Sequence, residues 1–301
     1  MIKRTIYFGN PVYLSNKLNQ MVLAFPVSNA NPTKQIPIED IGILILDNPQ
    51  ITITHALINA IISNNAAVLW CDNKHLPNGL MLPLDQNNTF SEKLRYQLNA
   101  SEPLKKQLWR HTVMCKIQNQ SAVLKALGYE YQKLEAMAKE VQSGDPDNLE
   151  GQAAAIYWNA LLLPYAVNRG KDLGGPNLFL NYGYAILRAI TARSLVASGC
   201  LPAVGIFHKN KYNSFCLADD VMEPYRPLVD LLVFEHLATV DVVPELLAVS
   251  DKQVLLKIPV LDTVVEGKLG PLMVNMQRST ASLMQCFEGT TRKIAFPKMG
   301  V

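Results

Sequence analysis

Asn73-Lys74-His75-Leu76-Pro77-Asn78-Gly79, followed closely by Asp85-Gln86-Asn87-Asn88, is a crowd of turn formers between two halves of opposite pattern. Gly, Pro, Asn and Asp each favour turns for their own backbone reason, and together they interrupt any regular element. This stretch is read as a linker over 76–90, with one domain at 1–75 and a second at 91–301.

On the N-terminal side the apolar runs are short and β-branched: Thr5-Ile6-Tyr7-Phe8, Gln20-Met21-Val22-Leu23-Ala24-Phe25 and Ile41-Gly42-Ile43-Leu44-Ile45-Leu46. Gly9-Asn10-Pro11 and Asn29-Ala30-Asn31-Pro32 separate them as turns, so strands are expected. One helix interrupts the pattern. Thr54 caps it, Ala56, Leu57, Ala60 and Ile61 recur at helical spacing, and it ends near Asn64-Asn65 before the strand Ala67–Cys71. The C-terminal side is helical almost throughout. Leu94, Leu98, Leu104 and Leu108 keep helical spacing around Ser101-Glu102-Pro103, where Pro103 suits a first turn. Further helices are expected at 121–142, 149–164 and 179–199, with shorter ones near 221–239 and 271–288. Gly144-Asp145-Pro146 and Gly174-Gly175-Pro176 break them. The predicted class is α+β: a small β domain, a linker and a larger all-helical domain.

The bulk numbers agree with a folded, soluble protein. Of 301 residues, 49% are apolar and 18% charged, the opposite of a disordered chain. A net charge of +3 permits a nucleic-acid partner without demanding one. The opening Met1–Gly9 reads as a first strand, not a signal peptide, and no apolar run approaches the ~18 residues of a membrane span. Five cysteines, scattered and without Cys-x-x-Cys spacing, read as reduced core thiols. A cytoplasmic location is expected.

Three places offer metal-ligating side chains. Glu150 opens a helix of small and aromatic residues, although Asp147-x-x-Glu150 also fits a capping box, which does not exclude a ligand role. His208 follows the apolar Gly205-Ile206-Phe207 and precedes Lys209-Asn210-Lys211; a lone histidine is more often a surface or satisfied core group. Asp219, Asp220 and Glu223 sit three and four residues apart, so one helical face can carry them. Like charges there repel, and a metal ion or Arg226 would relieve them; the plain alternative is an acidic helix start facing solvent. His236 is read as structural. Carboxylates and one imidazole without thiolate suit Mg²⁺ or Mn²⁺. There is no P-loop, dinucleotide fingerprint or Gly-x-Ser-x-Gly elbow, so nucleotide hydrolysis, hydride transfer and serine chemistry lack support.

These segments come in a telling order: Leu149-Glu150-Gly151-x-Ala153-Ala154, Asn181-Tyr182-Gly183-Tyr184-Ala185-Ile186-Leu187, Gly199-x-x-Pro202-Ala203-x-Gly205-x-x-His208, and Asp220-Val221-Met222-Glu223-Pro224-Tyr225-Arg226-Pro227-x-x-Asp230. The series resembles the CRISPR-associated protein one family, which inserts new spacers into CRISPR arrays. Asp40–Ile45 and Trp70–Gly79 resemble its type II branch in particular. The resemblance implies a β-sandwich-like N-terminal domain that helps form a homodimer, and a helical catalytic domain. It places Glu150, His208 and Glu223 at the catalytic metal-ligand positions, with Asp220 as an assisting acid that serves the metal or orients His208. The implied reaction is metal-dependent transesterification, in which a 3′-hydroxyl attacks a phosphodiester at a repeat boundary. Double-stranded DNA and CRISPR-associated protein two are the implied partners. Lys209, Lys211 and Arg226 near the site, and Lys105, Lys106, Arg110 and Lys116 along helices, are candidate DNA contacts, each weighed against an ordinary solvated charge. Tyr157 is divided between the core and the site. A metal-dependent nuclease that cuts without joining would use the same residues, and a DNA-binding scaffold would use none of them.

Overall fold

Short strands in the first unit, Met1–Asn88, form two four-stranded sheets. The computed structural model describes residues 3–26, 34–83, 87–169 and 174–300. The strands are β1 (Arg4–Phe8), β2 (Tyr13–Lys17), β3 (Gln20–Ala24), β4 (Lys34–Pro37), β5 (Ile41–Leu46) and β6 (Thr52–Ile53). After helix α1 (His55–Ser63) come β7 (Ala67–Cys71) and β8 (Pro77–Met81). One sheet has the order β1-β5-β7-β8 and the other β4-β3-β2-β6. The continuous apolar run of β5 is buried along its whole length, as befits a central strand with parallel neighbours β1 and β7. Thr54 caps α1 as expected, accepting the Leu57 N–H, and α1 shares one core with both sheets through Leu57, Ile61, Leu14, Met21, Leu44 and Val68.

The stretch read as linker needs a correction. Residues 77–81 form β8, antiparallel to β7 at the edge of its sheet. The turn formers just before it close the hairpin: the Asp72 carboxylate accepts the Lys74 and Leu76 N–H groups at 2.8 and 3.0 Å. Pro77 is tolerated because an edge strand has one unpaired side. The turn read at Asn29–Pro32, and Asp85 and Gln86 of the linker, lie outside the described residues.

The second unit is Thr89–Val301. Its helices are α2 (Phe90–Leu98), α3 (Glu102–Ala126), α4 (Gln132–Glu140), α5 (Leu149–Leu162), α6 (Pro176–Ala197), α7 (Cys216–Met222), α8 (Arg226–Leu237), α9 (Val249–Leu255) and α10 (Leu272–Phe287). Ser101 caps α3 and Pro103 sits in its first turn, as the sequence indicates. The single helix expected over 121–142 is broken instead: Gly128 takes φ +79° after α3, and the Tyr129 N–H returns to the Leu124 carbonyl. This unit is not all-helical either. Strands β9 (Asp262–Val265), β10 (Lys268–Pro271) and β11 (Pro297–Lys298) form a small sheet of order β10-β9-β11. Glu266 and Gly267, both at positive φ, make its hairpin turn, a local signal too short to stand out in a helical background. The α+β class holds. No helix of the described residues is long and apolar enough to cross a membrane. None of the five cysteines is in a disulfide, and burial pushes the Cys115 and Cys200 thiols up to about 12, leaving them inert.

Candidate active site

Glu150 enters the second unit's core at the start of α5. The capping box expected from Asp147 and Glu150 is not the device used. Asn148, in left-handed backbone at φ 52°, caps the helix by accepting the Gly151 N–H at 3.2 Å. Asp145 takes the Leu149 and Glu150 N–H groups at 2.9 and 3.0 Å. A Cβ on Gly151 would stand 2.7 Å from the Asn148 amide, which explains glycine there. With these donors satisfied by other residues, the Glu150 carboxylate is free to point at α3.

There it meets Lys116. The ammonium lies 2.7 Å from Glu150 Oε1 and 2.6 Å from Glu223 Oε2. Glu223 stands in the tight turn between α7 and α8, where Asn119 of α3 pins the chain by donating to the Pro224 carbonyl at 2.8 Å. Its other oxygen faces Arg226 Nη2 at 3.2 Å. Burial alone would lower the pKa of Lys116; the carboxylates of Glu223 and then Glu150 outweigh it and hold the ammonium raised. Burial would likewise raise Glu223, but Arg226 and then Lys116 keep its carboxylate below the ordinary value. The centre is thus two acids and two cations in low dielectric, charge-balanced without help.

His208 is set by a different acid. The wholly buried Asp220 carboxylate accepts the backbone N–H groups of Ile206, Phe207 and His208 at 2.6, 3.0 and 3.3 Å. It also accepts from His208 Nδ1 at 2.5 Å. Gly205 makes this wrap feasible, because a Cβ there would lie 2.4 Å from the His208 carbonyl and 2.8 Å from Asp220. The hydrogen bond from Nδ1 directs Nε2 outward, and it is the first reason the His208 pKa is raised; burial opposes, and the charges of Asp220, Glu223 and Glu150 add. Asp219 turns elsewhere, to Arg188 Nε at 2.8 Å and Asn213 Nδ2 at 2.7 Å, tying α7 to α6 and the preceding loop. The three acids expected on one face therefore serve three separate partners.

Beneath the glutamates, Asp230 accepts the hydroxyls of Tyr157 at 2.8 Å and Tyr184 at 2.5 Å. Tyr157 is fully buried, a core residue rather than a surface one. Burial pushes Asp230 up to about 6, against the two tyrosine hydrogen bonds, from an ordinary value of 3.8. A raised folded-state pKa makes stability fall as pH rises from the unfolded value through the folded one. About two units correspond to roughly 3 kcal/mol. Asp230→Asn is expected to remove that slope, so the variant should gain roughly 3 kcal/mol on wild type between pH 3.5 and pH 7. Urea unfolding of both proteins across that range checks it.

Lys116 and Arg226 were candidate DNA contacts, but Lys116 is buried between carboxylates, and Arg226 is three-quarters covered, paired with Glu223 and stacked over Tyr184 at 4.8 Å. Lys209 and Lys211 are exposed. Arg110 donates to the Val141 carbonyl. The sequence does carry a signal for the burial of Lys116. On α3 it shares an apolar stripe with Trp109, Val113 and Ile117, and a lysine on such a stripe demands a buried anion. His236 bonds Asp251 at 2.8 Å and is structural, as read.

Among the described residues, no three His, Cys, Asp or Glu side chains are gathered to hold a metal ion in this conformation. The Lys116 ammonium lies between the two glutamates instead. In kind, however, the donors fit a hard divalent ion: two carboxylates and one imidazole nitrogen oriented by its own acid. Glu223 Oε2 is buried, and although the Lys116 ammonium is close, it makes no hydrogen bond of good geometry, so a lone pair remains for a ligand. Gathering the donors around an ion requires the ammonium to swing aside.

The family model for CRISPR associated protein Cas1 matches residues 8–267. A CRISPR-associated endonuclease Cas1 from Neisseria meningitidis serogroup C (strain 8013) is 41% identical over 235 residues, 77% of this chain and 75% of that protein. A second, from Pyrobaculum aerophilum, is 27% identical over 215 residues, covering 66% of this chain and 72% of its own length. Among solved structures, a casposase bound to integration product superposes with TM-score 0.79 at 20% identity, over 98% of this chain and 93% of that one. A CAS1 protein from Thermotoga maritima gives TM-score 0.76 at 15% identity, over 95% and 97%. At those identities the likeness is one of fold. The chain belongs to the CRISPR associated protein Cas1 family, and the resemblance read from its motifs is borne out at that level.

Proposed function

We propose that this protein is a divalent-metal-dependent DNA integrase and endonuclease that inserts new spacer DNA into a CRISPR array. The single observation that carries the reading is the pair of half-buried Glu150 and buried Glu223, facing each other across Lys116 with the Asp220-oriented His208 alongside. Glu150, Glu223 and His208 Nε2 would hold the ion, Mg²⁺ or Mn²⁺. When bound, it supplies polarisation of the phosphodiester, activation of the attacking oxygen and stabilisation of the leaving one.

The reaction is a transesterification. The 3′-hydroxyl of a captured fragment loses its proton and forms a new P–O bond at the repeat boundary; the old P–O bond breaks, and the departing 3′-oxygen takes up a proton. The same displacement with water as nucleophile is nicking. Asp220 acts as a positioning residue: it holds the His208 ring in one tautomer and one orientation, and its three backbone acceptor contacts fix the loop that carries it. Lys116 and Arg226 balance the acids' charge, so the site stays assembled between reactions.

The relatives support this reading: one is named an endonuclease, and a protein of the same fold is described bound to an integration product. Solved neighbours include a Cas1–DNA complex and a Cas6-RT-Cas1–Cas2 complex, which favours DNA and CRISPR-associated protein two as partners. The reading also assigns the β-rich N-terminal unit, as in a type II branch, to a homodimer contact, the helical unit to catalysis, and the assembly to the cytoplasm. The test is a joining assay. Purified protein, with and without its partner, is incubated with labelled 3′-hydroxyl duplex and a supercoiled plasmid bearing the repeat, in Mn²⁺, Mg²⁺ or chelator. Label joined covalently to plasmid in metal alone is the expected result. Cutting without joining in every condition would reduce the protein to a nuclease, and indifference to chelator would remove the metal.

A further inference from the structure

Glu223 stands in a stretch of chain that takes support from residues far away in sequence. Pro224, in the turn Glu223–Tyr225 between α7 and α8, has no backbone N–H and leaves the helical hydrogen bonding one donor short. Support comes instead from the segment around β11, through two buried side chains, Asn119 and Ser279.

Asn119 of α3 is 2% exposed, and its amide is fully committed. Nδ2 gives one hydrogen to the Pro224 carbonyl at 2.8 Å and the other to the Pro297 carbonyl at 3.0 Å, while Oδ1 accepts the Met299 N–H at 3.1 Å. β11 is an edge strand of its sheet, and on its open side the Asn119 amide stands where a further strand would. A second tie starts from the next residue of the turn. Ser279 of α10 donates its one hydrogen to the Ala295 carbonyl, so the Tyr225 hydroxyl is the donor in the 2.6 Å bond between Tyr225 and Ser279. Residues 224 and 225 are thus tied to Pro297 and Ala295 of one segment, which Ile294, Ala295 and Phe296 anchor in the core.

We propose that Asn119, braced by the β11 segment, is a positioning residue that keeps Glu223 in place when the metal ion enters. The proposal rests on the reading of Glu150, His208 and Glu223 as the ion's ligands. Before the ion arrives, Lys116 and Arg226 flank the Glu223 carboxylate at 2.6 and 3.2 Å. When the ammonium swings aside, one of the two is gone, and the backbone beneath the carboxylate sets its place. The bonds to Pro224 and Tyr225 fix that backbone without using Lys116 or the ion. An ordered ligand binds metal tightly, and loosening the groups that support one costs about 10–100-fold in metal affinity.

The test is calorimetric Mn²⁺ titration at a temperature where near-ultraviolet circular dichroism shows every variant folded. Asn119→Ala removes the bonds, and Asn119→Leu removes them while filling the space; each should weaken Mn²⁺ binding at least about tenfold. Ser279→Ala, which cuts the second tie alone, should weaken it by less. Joining by Asn119→Ala should climb back toward the wild-type rate as Mn²⁺ is raised. Asn275→Ala is the matched control. Asn275 is equally buried and donates to the Thr263 and Gly270 carbonyls at 2.8 and 3.1 Å, but its bonds serve the β9–β10 hairpin. Its loss should lower the melting temperature and leave Mn²⁺ affinity unchanged. Wild-type Mn²⁺ affinity in folded Asn119→Ala and Asn119→Leu overturns the proposal. So does equal weakening in Asn275→Ala, which makes the loss one of general stability, or weakening in Asn119→Ala alone, which makes it one of packing. If affinity falls as expected in a protein that never joins DNA, the positioning role stands and the integrase reading falls. Wild-type Mn²⁺ binding in Glu223→Ala would remove Glu223 from the ligands and overturn this proposal with it.

Discussion

Glu223→Ala is expected to lower both joining and cutting at least about a hundredfold, the upper end of what losing even an indirect support of a metal site costs. It should also reduce stability by about 3–5 kcal/mol, because Lys116 and Arg226 would keep their buried charges while losing the acid between them. Only 5% of the Glu223 side chain is exposed, so water cannot compensate. Glu223→Gln separates the two effects. It keeps the volume and one acceptor, so chemistry should remain crippled at saturating Mn²⁺ even at temperatures where the variant is fully folded. Folded Glu223→Gln protein with wild-type joining rates would remove Glu223 from the catalytic set. Glu150→Ala should have the same sign with a smaller stability loss, since Glu150 is more exposed and contacts one cation rather than two.

Lys116→Met is expected to separate stability from metal binding in the opposite direction. In chelator the variant should lose about 3–5 kcal/mol, because Glu150 and Glu223 then face each other across an apolar side chain. The same change removes the cation with which a divalent ion must compete. Calorimetric titration should therefore show Mn²⁺ binding at least about tenfold tighter than in wild type, a gain of about 1.4 kcal/mol. Urea unfolding should show Mn²⁺ returning more stability to the variant than it adds to wild type, as follows when the ion binds only the folded state. An equal metal response in the two proteins would mean that the ammonium and the ion do not share a place.

Much of this protein was legible as text. The apolar β5 run, the Thr54 cap and the Ser101-x-Pro103 helix start are local signals, and each is found where the residues indicate. What failed also failed for local reasons. Pro77–Met81 carries a turn-former composition, yet it is a strand because β7 offers it an edge. Asp147 and Glu150 match a capping box, yet Asn148 and Asp145 take that role. Spacing could only say that Asp219, Asp220 and Glu223 share a helix face; it could not divide them among Arg188, the His208 loop and Lys116.

By itself the sequence determined the α+β class and the family, because periodicity and motif order are properties of neighbouring residues. The tertiary structure alone decided that Lys116, 34 residues from Glu150, is the counter-ion of the site rather than a DNA contact. A buried charge takes its meaning from the partner that neutralises it. That partner is chosen by packing between distant helices, which no local pattern records.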